Sequence, residues 1–113
     1  MPAGKYARAA LTSLGVWDSV AGRLAAAENV RGALALVSRG ESPLGIVYRT
    51  DAFVDAGVAV IDTFPESSHP PIIYPVALLP PASAEAARVL AFLKTPAALA
   101  VFQRHGFTEP ARD

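Results

Sequence analysis

Apolar positions recur at helical spacing in parts of the chain and run together in others. Tyr6, Ala7, Ala10, Leu11 and Leu14 share one face of a helix predicted over 4–14, which Gly15 ends. Pro2 stands ahead of it, where a missing N–H does no harm. Trp17 and Leu24 belong to a looser connection through Asp18 and Gly22. Asn29 is a good N-cap for a second helix, in which Val30, Ala33, Leu34 and Val37 follow the i, i+3, i+4, i+7 pattern up to Gly40. Leu44-Gly45-Ile46-Val47-Tyr48 is a short apolar run, β-branched at its centre, and is expected to be a buried strand. Thr50 or Asp51 caps a short helix over 52–56, ended by Gly57, and Val58–Ile61 is the next strand. A polar, proline-containing loop over 64–71 leads to a third extended run, 72–79, in which Pro75 implies an edge or a crossing. Ser83 and Thr95 cap two closing helices, the second with Pro96 in its first turn and Gly106 just past its end.

The resulting order, α-α-β-α-β-β-α-α, predicts an α/β domain with a mixed, partly parallel sheet flanked by helices. The chain opens on a helix, and its third strand has no crossover helix before it. Both features fit a domain whose first part is missing.

Composition narrows the chemistry. A chain of 113 residues is one domain in length, and with 52% hydrophobic residues it has the material for a core. Ten basic residues offset ten acidic ones, which argues against a nucleic-acid binder. The chain has no cysteine, so thiolate sites and disulfides are excluded. No apolar stretch reaches the length of a membrane span, and the first residues do not read as a signal peptide.

Catalytic constellations are thin, and the chain is expected not to be an enzyme. His69 lies among Asp62, Glu66, Ser67 and Ser68, but adjacent residues in a loop rarely reach nucleophile-to-base geometry. Glu66 with His69 is a weak metal pair, and a solvated polar loop is the better reading. His105, beside Gly106 at a helix C-terminus, is explained by capping. No phosphate-binding glycine loop is present. What remains are helix N-termini at Ala3-Gly4 and Asn29-Val30-Arg31, whose unpaired amides suit an anion, and Tyr48 at the end of a strand. Each also has a plain structural reading, since every helix has an N-terminus and a tyrosine at a strand end is commonly a packing residue.

Several motifs occur in fixed order: Pro2-Ala3-Gly4-Lys5-Tyr6-Ala7, Glu28-Asn29-Val30-Arg31-Gly32-Ala33-Leu34, Gly45-Ile46-Val47-Tyr48, Thr63-Phe64-Pro65-Glu66-Ser67-Ser68-His69, Tyr74-Pro75-Val76-Ala77 and Phe102-Gln103-Arg104-His105-Gly106-Phe107. Over nearly all its length the chain resembles the molybdate-binding component of bacterial ABC importers, the ModA family. The resemblance implies a partial periplasmic-binding-protein type II fold with the N-terminal lobe missing. Residues 1–79 are then a second-lobe segment carrying part of the anion site, and residues 80–113 are C-terminal helices that pack on the first lobe. It further implies that molybdate or tungstate is held by neutral donors: the backbone amides of Ala3 and Val30 and the phenol of Tyr48. No cation ligand and no cofactor are implied, and Arg31 is expected to point away from the anion. The implied setting is the periplasm, with an ABC permease as partner of the full-length protein.

A segment of such a protein exposes apolar helix faces, so a homo-oligomer or domain swap is expected as well. The alternative to oxyanion binding is a truncated, non-binding, self-associating structural domain of the same ancestry.

Overall fold

A computed structural model describes residues 2–109. It contains six α-helices among the described residues: α1 (Pro2–Ser13), α2 (Trp17–Val20), α3 (Val30–Ser38), α4 (Arg49–Ala52), α5 (Ala84–Leu93) and α6 (Pro96–Arg104). Short 3-10 turns follow at Ala21–Arg23 and Glu66–Ser68. The chain divides between Pro71 and Ile72 into two compact units.

In the first unit α1 packs on α2 and on the turn Glu66–Ser68, while α3 packs on α4. The guanidinium of Arg8 covers the Trp17 ring at 4.9 Å, which ties α1 to α2. Tyr6 meets His69 edge to face, with centroids 6.1 Å apart, which ties α1 to the loop. Among the described residues of this unit, Ala10 and Leu34 are the buried apolar side chains, and Asp51 and Ser68 are the buried polar ones.

The second unit pairs α5 with α6, and among its described residues Ala98 is the buried apolar one. Ser83 Oγ accepts the Ala86 amide at 3.1 Å, and Thr95 Oγ1 accepts that of Ala98 at 3.3 Å, so both caps act as the sequence predicts. At the end of α6, Gly106 adopts φ +95°. Its amide bonds to Gln103 O, and the Phe107 amide reaches back to Phe102 O. This is a Schellman turn, and it brings its apolar pair together: Phe107 lies 6.2 Å from Phe102 and 5.5 Å from Tyr74, centroid to centroid.

The sheet differs from expectation. Among the described residues, 44–48, 58–61 and 72–79 form no strand. A strand is made by the ladder to its neighbour, and an apolar run without a partner strand has nothing to receive its amides and carbonyls. The same runs are open to solvent, with Ile61 79% and Leu79 80% exposed.

The helices differ in detail. α1 begins at Pro2 rather than residue 4. The segment read as a loose connection after Gly15 coils into α2 and a 3-10 turn. The short helix expected over 52–56 lies earlier, at Arg49–Ala52, and neither Thr50 nor Asp51 caps it. Tyr48 is its N-cap residue, and the Tyr48 carbonyl accepts the amides of Asp51 at 3.0 Å and Ala52 at 3.2 Å. Asp51 is drawn away from capping by a partner distant in sequence.

Candidate functional site

The two elements that carry Val30 and Tyr48 are neighbours, because α3 packs on α4. Val30 is the first residue of α3. The Asn29 side chain accepts the Gly32 amide at 2.8 Å. The Val30 and Arg31 amides precede Gly32 in the first turn, where an α-helix offers no internal acceptor. Tyr48 stands at the head of α4, half-buried, with its carbonyl already engaged by the helix that follows.

One ion pair joins these elements. Arg31 Nε lies 2.9 Å from Asp51 Oδ1. Arg31 adjoins Val30 in sequence, and Asp51 lies three residues beyond Tyr48, so the bridge connects the first turn of α3 to α4. Its two sides differ. The Arg31 side chain is 63% exposed, whereas Asp51 is buried and its Oδ2 has no hydrogen-bond partner. The Arg31 guanidinium is thus engaged by a carboxylate.

The far end of α3 is fastened too. Ser38 Oγ donates to Asp55 Oδ1, which also accepts the Gly57 amide. Between these fastenings, Gly45 passes close to Val37: a Cβ built on Gly45 would stand 2.7 Å from Val37 Cγ2.

Ala3 lies in the first turn of α1, half-buried, in an element whose packing partners are α2 and the turn Glu66–Ser68. Val30 and Tyr48 therefore share a packed pair of elements, and Ala3 belongs to the same compact unit. A shallow depression of about 350 Å³ beside it is lined by Pro2, Lys5, Tyr6 and Pro70.

The polar loop over 64–71 is engaged in local bonding. The Ser68 hydroxyl is buried and donates to Pro65 O at 2.6 Å. His69 Nδ1 lies 2.8 Å from Pro70 O, and its ring packs on Tyr6. Among the described residues, no three of His, Cys, Asp and Glu gather as a metal site. No helix among them is long and apolar enough to cross a membrane.

Sequence reasoning missed Asp51 and Asp55 as fasteners. Their only signal was a carboxylate able to meet Arg31 or Ser38, and other acidic residues such as Glu28 and Glu41 offer the same chemistry nearer in sequence.

Comparison with known proteins places the chain in a family. A family described as "Bacterial extracellular solute-binding protein" matches residues 1–108. The molybdate-binding protein ModA of Escherichia coli (strain K12) is 53% identical over 111 residues, covering 96% of this chain and 42% of that protein. The molybdate-binding protein ModA of Haemophilus influenzae is 47% identical over 109 residues, covering 96% of this chain and 43% of that protein. The chain thus spans about two-fifths of the length of these relatives. Solute-binding proteins are not enzymes, in keeping with the thin catalytic chemistry. The chain belongs to the bacterial extracellular solute-binding protein family and is similar to its ModA members along almost its whole length.

Proposed function

We propose that the chain contributes to capture of molybdate or tungstate, as a segment of the substrate-binding component of an ABC importer. The observation that carries this reading is 53% identity to a molybdate-binding protein over 96% of the chain. The arrangement of α3 and α4 supports it. A doubly charged oxyanion must trade its water shell for donors at fixed points, and neutral donors let it leave again. We assign this role to the backbone amides of Ala3 and Val30 and to the phenol of Tyr48. No cofactor and no direct cation ligand enter the scheme. The partner in the whole importer is its permease, and the setting is the periplasm.

In this reading 44–48, 58–61 and 72–79 become strands of a type II periplasmic-binding fold only when the first lobe supplies the ladder partners they lack here. Of residues 80–113, those described, with α5 and α6, pack on that lobe, and 110–113 lie outside the described residues. The donors assigned here are part of a set, and each hydrogen bond to a charged ligand contributes about 1.5–3 kcal/mol, so the segment alone binds more weakly than a complete site.

A second reading is favoured by the exposure of Ile73, Val76 and Leu79: a self-associating domain that binds no anion. Calorimetry of the 113-residue chain with molybdate, tungstate and sulfate separates the two. Saturable heat with molybdate and tungstate but not sulfate is the expected result. Absence of heat with any of the three, at protein concentrations where the chain sediments as an oligomer, selects the second reading.

A further inference from the structure

We propose that the Arg31–Asp51 ion pair is a positioning device for anion capture, holding the first turn of α3 and the head of α4 in one arrangement; the inference rests on the oxyanion reading above. A helix as short as α4 has little stability of its own, because its nucleation cost is spread over a single turn. No side chain caps it, so its place depends on what Asp51 and its neighbours touch. Asp51 is 8% exposed, and Arg31 Nε at 2.9 Å is the partner of its Oδ1, while Oδ2 has none. A buried carboxylate that loses its counter-charge must move to water or rearrange. The movement open to Asp51 is rotation or fraying of α4, and that turn includes the bonds from Asp51 and Ala52 to the Tyr48 carbonyl. Fraying therefore removes the bonds that tie the Tyr48 carbonyl to the turn. On the other side, Arg31 is the residue after Val30, so the same contact fixes the direction of the first turn of α3. An exposed ion pair has little effect on stability, but this one is exposed only on the arginine side. Its contribution is geometric: within the packed pair α3 and α4 it holds the two donor-bearing turns at one spacing. Arg31 and Asp51 are positioning residues and need not touch the anion.

The test uses the 113-residue chain and the variants Arg31→Ala, Arg31→Lys, Asp51→Asn and the double variant, with Leu34→Ala as a core control. Sodium molybdate is titrated at a temperature where circular dichroism shows every variant folded, and exchange of the Ala52 amide is followed in its absence. Arg31→Ala and Asp51→Asn are each expected to weaken molybdate binding about tenfold, with the double variant no weaker than either single one. Arg31→Lys recovers part of the loss, and Leu34→Ala leaves the affinity within about twofold although it lowers the melting temperature. The Ala52 amide exchanges faster in Arg31→Ala than in the parent chain. If the parent binds molybdate and Arg31→Ala and Asp51→Asn bind it equally well, the proposal is overturned. If the parent does not bind molybdate, the oxyanion reading of this chain fails, and the exchange measurement alone decides: an unchanged Ala52 rate overturns the ion pair's role. Should Asp51→Asn not fold, Arg31→Ala and Arg31→Lys, which alter an exposed side chain, carry both readouts.

Discussion

The hydroxyl of Ser38 donates to Oδ1 of Asp55 across 3.1 Å, and the same oxygen accepts the Gly57 amide at 2.8 Å. One carboxylate oxygen thereby fixes the turn after α4 and attaches it to the last residue of α3. Replacing Asp55 by alanine removes both bonds at once and is expected to destabilise the chain by about 1–3 kcal/mol. Asp55→Asn keeps an acceptor at the same place and loses less. Urea unfolding followed by circular dichroism measures the difference. Equal midpoints for parent and Asp55→Ala would show the contact to be incidental.

Gly106 presents a different kind of constraint. Its φ of +95° lies where a β-carbon is strained, and its turn brings Phe107 onto Phe102. Gly106→Ala is expected to cost about 1–2 kcal/mol, together with the ring contact. The aromatic resonances of Phe107 report the contact, and the thermal midpoint reports the cost.

Tyr48→Phe removes one hydroxyl and leaves the ring. If the phenol donates to the oxyanion, molybdate affinity falls by about tenfold or more, since a hydrogen bond to a charged partner contributes about 1.5–3 kcal/mol. The head of α4 is held through the Tyr48 carbonyl, which the substitution does not alter. A change in affinity without a change in the Ala52 amide exchange rate separates the donor role from a structural one.

The run 72–79 supplies a prediction about association. Ile73 and Leu79 are exposed apolar side chains within it. Ile73→Lys combined with Leu79→Lys is expected to shift the chain toward monomer in sedimentation velocity, because charge discourages edge-to-edge pairing of extended segments. An unchanged distribution of species assigns association to some other surface.

What could be read from the sequence divides along physical lines. The caps Asn29, Ser83 and Thr95 and the stops Gly40 and Gly106 are correct because capping is local: donor, acceptor and turn lie within a few residues. The strands are not formed because pairing requires a neighbour, and neither periodicity nor β-branching supplies one. The short helix was expected three residues too late because Asp51 looks like a cap until Arg31, twenty residues earlier, is seen to hold it. The candidate donors illustrate the same division. Val30 follows from the Asn29 cap, and its proximity to the element carrying Tyr48 follows only from packing. Ala3 is correctly placed in the first turn of a helix, one that begins slightly earlier than the pattern suggested.

Gly45 has a consequence that reaches beyond stability. The absence of a side chain lets the run toward Tyr48 lie directly against Val37, whose own branching at Cβ leaves it few ways to step aside. The gap between α3 and that run is thus a spacer of zero thickness. A methyl group there is expected to act as a shim that pushes the run from Ile46 to Tyr48 away from α3, so the Cβ that Gly45 lacks is one condition for the close approach that the Arg31–Asp51 pair then holds.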